Sequence, residues 1–187
     1  TMILLIGKYG TGKSLTAVYY ALKQYLNGKI DKIYISRSAV CDKDEELGFI
    51  PGDIKEKMSP LVYPLVSNMY KCLPLQYIDY LIKENIIEII PVQYLKGVTY
   101  QEKSIAIIDE FQNLSITQIK NVISRIGNGS KLLLVGDRAQ MDIKEGKSGM
   151  SIVSNFEDED FKIIELTNNH RHPIVERFTN YLEGIQK

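Results

Sequence analysis

The chain has 187 residues, a length typical of one domain. Its 23 basic and 23 acidic side chains cancel, which excludes a basic nucleic-acid-binding tail but not a local basic groove. Hydrophobic residues make up 44%, too many for a disordered chain, and two cysteines are too few for a disulfide framework. The opening apolar run is far shorter than a signal peptide or membrane span, so we expect a soluble, cytoplasmic protein without membrane contact, naturally beginning at Met2.

Short β-branched runs alternate with longer helical patterns along the chain. Most of the short runs are continuously apolar, which is typical of parallel strands covered on both faces. The pattern predicts an α/β fold in which a mostly parallel sheet is flanked by helices on both faces. The six predicted strands are Met2–Ile6, Lys32–Ser36, Ile86–Ile90, Ser104–Ile108, Lys131–Val135 and Lys162–Glu165.

Three segments carry clear helix signals. Ser115 and Gln118 match the capping-box pattern and precede apolar residues at helical spacing. Pro173 is expected to open a helix near the end of the chain. The helix after Lys13 is expected to bury Leu15, Val18, Leu22, Tyr25 and Leu26, and the last helix to bury Ile174, Val175, Phe178, Tyr181 and Leu182.

The segment from about residue 41 to residue 84 interrupts the alternation of strands and helices. It holds four of the six prolines and predicts a loop followed by short helices, inserted after the second strand. The chain contains no internal repeat, low-complexity tract or linker. We therefore expect residues 1–187 to form a single domain with one insertion.

The first strand leads into a phosphate-binding motif. Residues Gly7–Ser14 match the pattern G-x-x-x-x-G-K-[ST], between an apolar strand and an amphipathic helix. Backbone N–H groups of such a loop and of the helix N-terminus bind phosphate. We expect Lys13 to contact the β- and γ-phosphates and Ser14 to ligate Mg²⁺. The residues expected around the nucleotide are Gly7, Tyr9, Gly10, Thr11, Gly12, Lys13, Ser14 and Leu15.

Two later strands also end in polar residues. Asp109 and Glu110 follow an apolar run, and we expect Asp109 to hold Mg²⁺ through water while Glu110 polarises the attacking water. A water-activating Glu favours a hydrolase over a small-molecule kinase. Gln140 follows the fifth strand and is expected to sense the γ-phosphate, although a polar loop residue there is the alternative. Since the carboxyl ends of parallel strands line one crevice, these segments should converge.

These residues, together with further motifs, resemble the PhoH family of P-loop ATPases, which are RecA-like and akin to superfamily 1 helicases. The likeness extends from about Ile3 to Glu183. Two departures from the family pattern are Phe111, where an alanine is usual, and Val98, where a basic residue is usual. The motifs that carry the resemblance are Arg37–Val40, Leu47–Lys57, Ile87–Pro91, Asp109–Asn113, Ser124–Gly127, Gly136–Asp142 and Arg171–Val175.

The resemblance implies ATP hydrolysis on a RecA-like core, a link to RNA or DNA, and an oligomer that supplies a missing arginine. Arg171 matches the family's C-terminal arginine. We expect it to act in the site of a neighbouring subunit within a homo-oligomeric ring, such as a hexamer. The alternative is that Arg171 pairs with the chain's own carboxylates. Arg37 and Arg125 are expected beside the crevice, where they could act in cis.

The leading expectation is a Mg²⁺-dependent ATPase coupled to movement on, or remodelling of, single-stranded nucleic acid, with RNA favoured over DNA. The alternative is an ATP-dependent switch that binds a partner, with slow turnover and no unwinding, since the chain has room for one RecA-like lobe. Lysines 55, 57, 96 and 103 could track a nucleic acid or be solvated surface. Tyr19, Tyr25 and Tyr63 are expected at core positions, which leaves Tyr9 as the exposed candidate for stacking on a base.

Overall fold

The structure is a computed structural model that describes residues 1–38, 54–92, 95, 99–141, 148–171, 173–175 and 177–178. Six strands form one sheet in the order β3-β2-β4-β5-β1-β6, and every neighbouring pair is parallel. All six strands predicted from the sequence are confirmed, with end shifts of one residue. They are β1 (Met2–Gly7), β2 (Lys32–Arg37), β3 (Ile87–Ile89), β4 (Ser104–Asp109), β5 (Lys131–Gly136) and β6 (Phe161–Leu166).

Helices cover both faces of the sheet, as predicted. Because successive side chains of a strand point to opposite faces, Leu5 and Leu133 enter one core while Leu4 and Leu134 enter the other. This arrangement explains why the strands are continuously apolar. The first core is closed by α1 (Lys13–Leu26), α2 (Ile54–Cys72) and α3 (Leu75–Lys83), and the second by α4 (Ile116–Ile123) and α5 (Gly149–Val153).

The insertion after the second strand is helical in its described part, where α2 and α3 lie between β2 and β3. Residues 41–53 lie outside the described part, so most of the motif Leu47–Lys57 does too. Among the described helices, none combines the length and the apolar character needed to cross a bilayer.

Helix α4 begins as the sequence predicts. The Ser115 hydroxyl accepts a hydrogen bond from the backbone N–H of Gln118 at 3.3 Å, and the Gln118 side chain accepts one from the backbone N–H of Ser115 at 2.9 Å. The capping box is therefore present and satisfies two N–H groups that the helix leaves unpaired.

Several predictions about which helical side chains are buried are wrong. On α1 the buried stripe is Ala17, Val18, Ala21 and Leu22, so the prediction is confirmed for Val18 and Leu22. Leu15 and Leu26 lie off this stripe and are exposed. Tyr19 and Tyr63 are also exposed, at 54% and 60%.

The predicted helix near the end of the chain also differs from expectation. Residues 173–175 and 177–178 are helical, but Ile174 and Phe178 are exposed at 53% and 59%, so the expected buried face is wrong there. Tyr181 and Leu182 lie outside the described residues.

Candidate active site

The loop between β1 and α1 closes around the side chain of Lys13. The Lys13 ammonium donates hydrogen bonds to the carbonyl oxygens of Gly7 at 2.7 Å and Lys8 at 3.0 Å. The Thr11 hydroxyl donates to the same Lys8 carbonyl at 2.8 Å. Since α1 begins at Lys13, the ammonium and the positive end of the helix dipole lie together at the loop.

Residues from three neighbouring strands meet at the carboxyl edge of the sheet, where the sequence predicted a crevice. The Ser14 hydroxyl donates a hydrogen bond to Asp109 Oδ1 at 3.1 Å. Ser14 follows β1 and Asp109 ends β4, and β5 lies between these two strands in the sheet. Lys13 Nζ lies 3.9 Å from Oδ2 of Asp137, the residue that follows β5. The phosphate loop, the end of β4 and the end of β5 therefore form one site.

Asp109 is a buried carboxylate of this site. Burial raises its pKa to about 6, and the neighbouring Glu110 charge adds to the rise. The Arg37 guanidinium and the Ser14 hydroxyl act in the opposite direction but do not cancel it. A buried carboxylate beside a serine hydroxyl suits a divalent cation, which would supply the missing positive charge, so these residues fit Mg²⁺.

The carboxylate of Glu110 is held by two side chains. Arg37 Nη2 donates to Glu110 Oε1 at 2.9 Å, and Gln112 Nε2 donates to Oε2 at 2.6 Å. The backbone of Glu110 is left-handed, with φ of 53° and ψ of 38°, which is unusual for a residue with a side chain. Its orientation is therefore set by the backbone and by both carboxylate oxygens.

Gln112 is a site residue that the sequence analysis did not single out. It is fully buried, and its Oε1 accepts a hydrogen bond from the backbone N–H of Asp137 at 3.1 Å. A Cβ atom on Gly136 would lie 2.8 Å from Gln112 Oε1 and 2.7 Å from Met150 Cε, so an alanine there would displace the ends of both side chains. Gln112 thus joins Glu110 to the residue that faces Lys13.

The segment after β6 lies on the phosphate loop of its own chain. The backbone N–H of His170 donates to the Gly10 carbonyl at 3.1 Å, and the Arg171 guanidinium carbon lies 3.5 Å from the centre of the Tyr9 ring. Gly10 has φ of 85°, and a Cβ atom there would lie 2.6 Å from Asn169 Oδ1. Arg171 therefore contacts its own loop, in the manner of a cation–π pair, and its role in a neighbouring site stays a prediction.

Gln140 and Arg125 were both predicted to lie at the crevice, and the structure places them differently. Gln140 lies on a one-turn helix, Arg138–Gln140, just past β5, and its side chain is exposed. Its role as a phosphate sensor stays a prediction. The expectation that Arg125 lies beside the crevice is wrong: its carbonyl accepts from the Tyr100 N–H, ahead of β4. Helix α4 carries the chain back to the amino edge of the sheet, opposite the site.

Lys103 also lies at the amino edge of the sheet, where its carbonyl accepts a hydrogen bond from the Asp31 N–H just before β2. The side chains of lysines 55 and 57, and residues 96–98, lie outside what the structure describes. Phe111, which stands where the PhoH family usually has an alanine, is fully buried in the second core.

Comparisons with known proteins agree with this geometry. A family model described as "PhoH-like protein" matches residues 1–183. A PhoH-like protein of Bacillus subtilis is 38% identical over 179 residues, which are 93% of this chain and 56% of that protein. Protein PhoH of Escherichia coli is 32% identical over 163 residues, or 85% of this chain and 46% of that protein. The chain thus spans about half the length of these curated relatives.

Solved structures share the fold at low sequence identity. The large terminase of a thermophilic bacteriophage has a TM-score of 0.58 at 9% identity, over 95% of this chain and 44% of that chain. The N-terminal domain of the DNA packaging ATPase of bacteriophage phi29 has a TM-score of 0.50 at 13% identity, over 90% of each chain. The fold is that of RecA-like α/β P-loop NTPases, as the family resemblance implied.

Proposed function

This chain belongs to the PhoH-like protein family, and we propose that it is a Mg²⁺-dependent ATPase. The observation that supports the proposal most is the 3.1 Å hydrogen bond between Ser14 and Asp109. It brings two expected metal ligands, one from the start of α1 and one from the end of β4, together beside Lys13. Phosphoryl transfer depends mainly on positioning and on neutralising charge, which this arrangement provides.

Each residue of the site has a definite task in the proposed reaction. Lys13 would exchange its hydrogen bonds to the carbonyls of Gly7 and Lys8 for contacts with the phosphates of ATP. Ser14 and Asp109 would hold Mg²⁺, which when bound neutralises charge on the β- and γ-phosphates. Glu110 would orient the attacking water and accept its proton.

The role of Glu110 is tested by the variant Glu110→Gln. The amide keeps the shape of the side chain but cannot accept the proton, so we expect kcat to fall by about 10²–10⁴-fold. ATP should remain bound and intact, because Lys13, Ser14 and Asp109 are unchanged. Single-turnover phosphate release and binding of a fluorescent ATP analogue measure the two effects separately.

Glu88→Gln is the matched control for that experiment. Glu88 lies on β3 and pairs with Lys32 at 2.5 Å, away from the phosphate loop. This control should hydrolyse ATP at the parent rate. Normal turnover in Glu110→Gln would remove Glu110 from its assigned role.

We propose further that hydrolysis is coupled to binding or remodelling of single-stranded RNA or DNA in the cytoplasm, by a homo-oligomer such as a hexameric ring. The family resemblance supports this coupling. It also supports a role for Arg171 in a neighbouring subunit. Poly(U) or single-stranded DNA should then stimulate hydrolysis several-fold, and light scattering with ATP·Mg²⁺ should show a ring instead of a 21.3 kDa monomer.

A second candidate function is an ATP-dependent switch that binds a partner with slow turnover and no unwinding. One observation is enough to support it: the described strands form one six-stranded sheet with a phosphate loop, which is all that a nucleotide-dependent switch requires. Hydrolysis by a switch directed at a protein would not respond to poly(U). A monomer that is unchanged by ATP·Mg²⁺ would also favour the switch.

A further inference from the structure

Arg37 ends β2 and lies beside Asp109, which ends β4 in the same register. The three nitrogens of its guanidinium face three different groups of the chain. Nη2 donates to Glu110 Oε1 at 2.9 Å, and Nε lies 3.9 Å from Asp109 Oδ2. Nη1 lies 3.5 Å from the backbone carbonyl of Leu61, in the middle of α2.

This arrangement favours a role beside Glu110 over direct action on the γ-phosphate. The shortest contact of Arg37 is its charge-assisted hydrogen bond to Glu110, and its Nε and Nη1 are directed toward other oxygens of the chain. Within the described residues, Arg37 forms ion pairs with both Asp109 and Glu110. The other cation of the site, Lys13, pairs with Asp137. The contacts join Arg37 to the water-activating carboxylate instead.

We propose that Arg37 is a positioning residue for Glu110, anchored on the backbone of α2; this inference rests on the proposed ATPase function. Gln112 holds Oε2 of Glu110 and Arg37 holds Oε1, so the carboxylate is fixed from two sides. The Leu61 carbonyl fixes the guanidinium in turn. A general base must lie within hydrogen-bond reach of its water, and a displacement of about 1 Å can cost about 10²-fold in rate.

The test compares Arg37→Ala and Arg37→Lys with the parent chain. In Arg37→Ala we expect kcat to fall by about 10- to 100-fold, with the affinity for a fluorescent ATP analogue changed by less than about threefold. Arg37→Lys should recover part of kcat, because one ammonium can reach Glu110 but cannot span all three groups. Circular dichroism checks folding, and the Lys variant carries the test if the Ala variant does not fold.

Lys32→Ala is the matched control, because Lys32 lies at the other end of the same strand and pairs with Glu88. Its kcat should equal that of the parent. An unchanged or increased kcat in Arg37→Ala and Arg37→Lys, from an active parent, overturns the inference about Arg37. A parent that does not hydrolyse ATP overturns the proposed function itself.

A double-mutant cycle separates positioning from direct action on the phosphate. If Arg37 acts through Glu110, then Arg37→Ala should cause no further loss of single-turnover rate in a Glu110→Gln chain. If Arg37 touches the γ-phosphate, the two losses should multiply, and that result would overturn the proposal.

Discussion

Replacing Asp109 with asparagine should stabilise the metal-free protein while abolishing its response to Mg²⁺. The pKa of Asp109 rises from 3.8 to about 6, chiefly because burial disfavours the charged form. At about 1.4 kcal/mol for each tenfold change in the ionisation constant, the ionised side chain costs the folded state about 3 kcal/mol. Asparagine has nearly the same shape and carries no charge to desolvate.

The penalty depends on pH in a defined direction. The folded chain binds the Asp109 proton more tightly than the unfolded chain, so its stability falls as pH rises from about 4 to about 6. Above that window the full penalty is present. The advantage of Asp109→Asn should therefore be complete at pH 7.5 and small near pH 4, where Asp109 of the folded chain is protonated.

Thermal unfolding without metal, followed by circular dichroism, measures the effect. For a chain of this size, about 3 kcal/mol corresponds to a Tm increase of about 6–12 °C at pH 7.5. Asp31→Asn is the control, since Asp31 is exposed and should leave Tm unchanged. A lower Tm for Asp109→Asn at pH 7.5 would refute the reasoning, because it would mean that Arg37 and Ser14 outweigh the burial.

Three further predictions follow from particular contacts. Gly136→Ala places a Cβ atom 2.8 Å from Gln112 Oε1 and should lower the free energy of unfolding by about 1–3 kcal/mol and also lower kcat. Denaturant unfolding and phosphate release measure the two effects, and unchanged values would contradict the close approach. Ser115→Ala removes the capping box of α4 and should lower the free energy of unfolding by about 1 kcal/mol. Ser124→Ala, at the other end of the helix, should lower it much less. Tyr9→Ala should lower the free energy of unfolding by about 0.5–1 kcal/mol, because it removes the ring that Arg171 contacts. A double-mutant cycle with Arg171→Ala should give a coupling energy of that size. Tyr9→Phe keeps the ring and should keep the coupling.

The strands and the phosphate loop were predictable because their signals are local. Continuously apolar runs reveal strands covered on both faces, and the glycines and Lys13 of the loop follow one another directly in the sequence. The capping box of α4 is local as well. Chain order also gave the direction of the strands, and hence the edge at which Asp109 and Ser14 would meet.

The contacts that depend on the order of strands in the sheet were not predictable. Gln112 meets Asp137 only because β5 lies next to β4, and Arg171 reaches Tyr9 only because β6 lies next to β1. Helical spacing identified Val18 and Leu22 on the buried face of α1 but missed Ala17 and Ala21. The alanines of α1 are buried and Tyr19 is exposed, although Tyr19 was expected at a core position.

The most direct test of the central claim is steady-state phosphate release from ATP by the parent chain and by Lys13→Ala, each with Mg²⁺ and with excess chelator. We predict turnover by the parent that requires Mg²⁺, and background release by Lys13→Ala under both conditions. Equal hydrolysis by the two proteins, or hydrolysis by the parent that the chelator does not reduce, would contradict the assignment of this site.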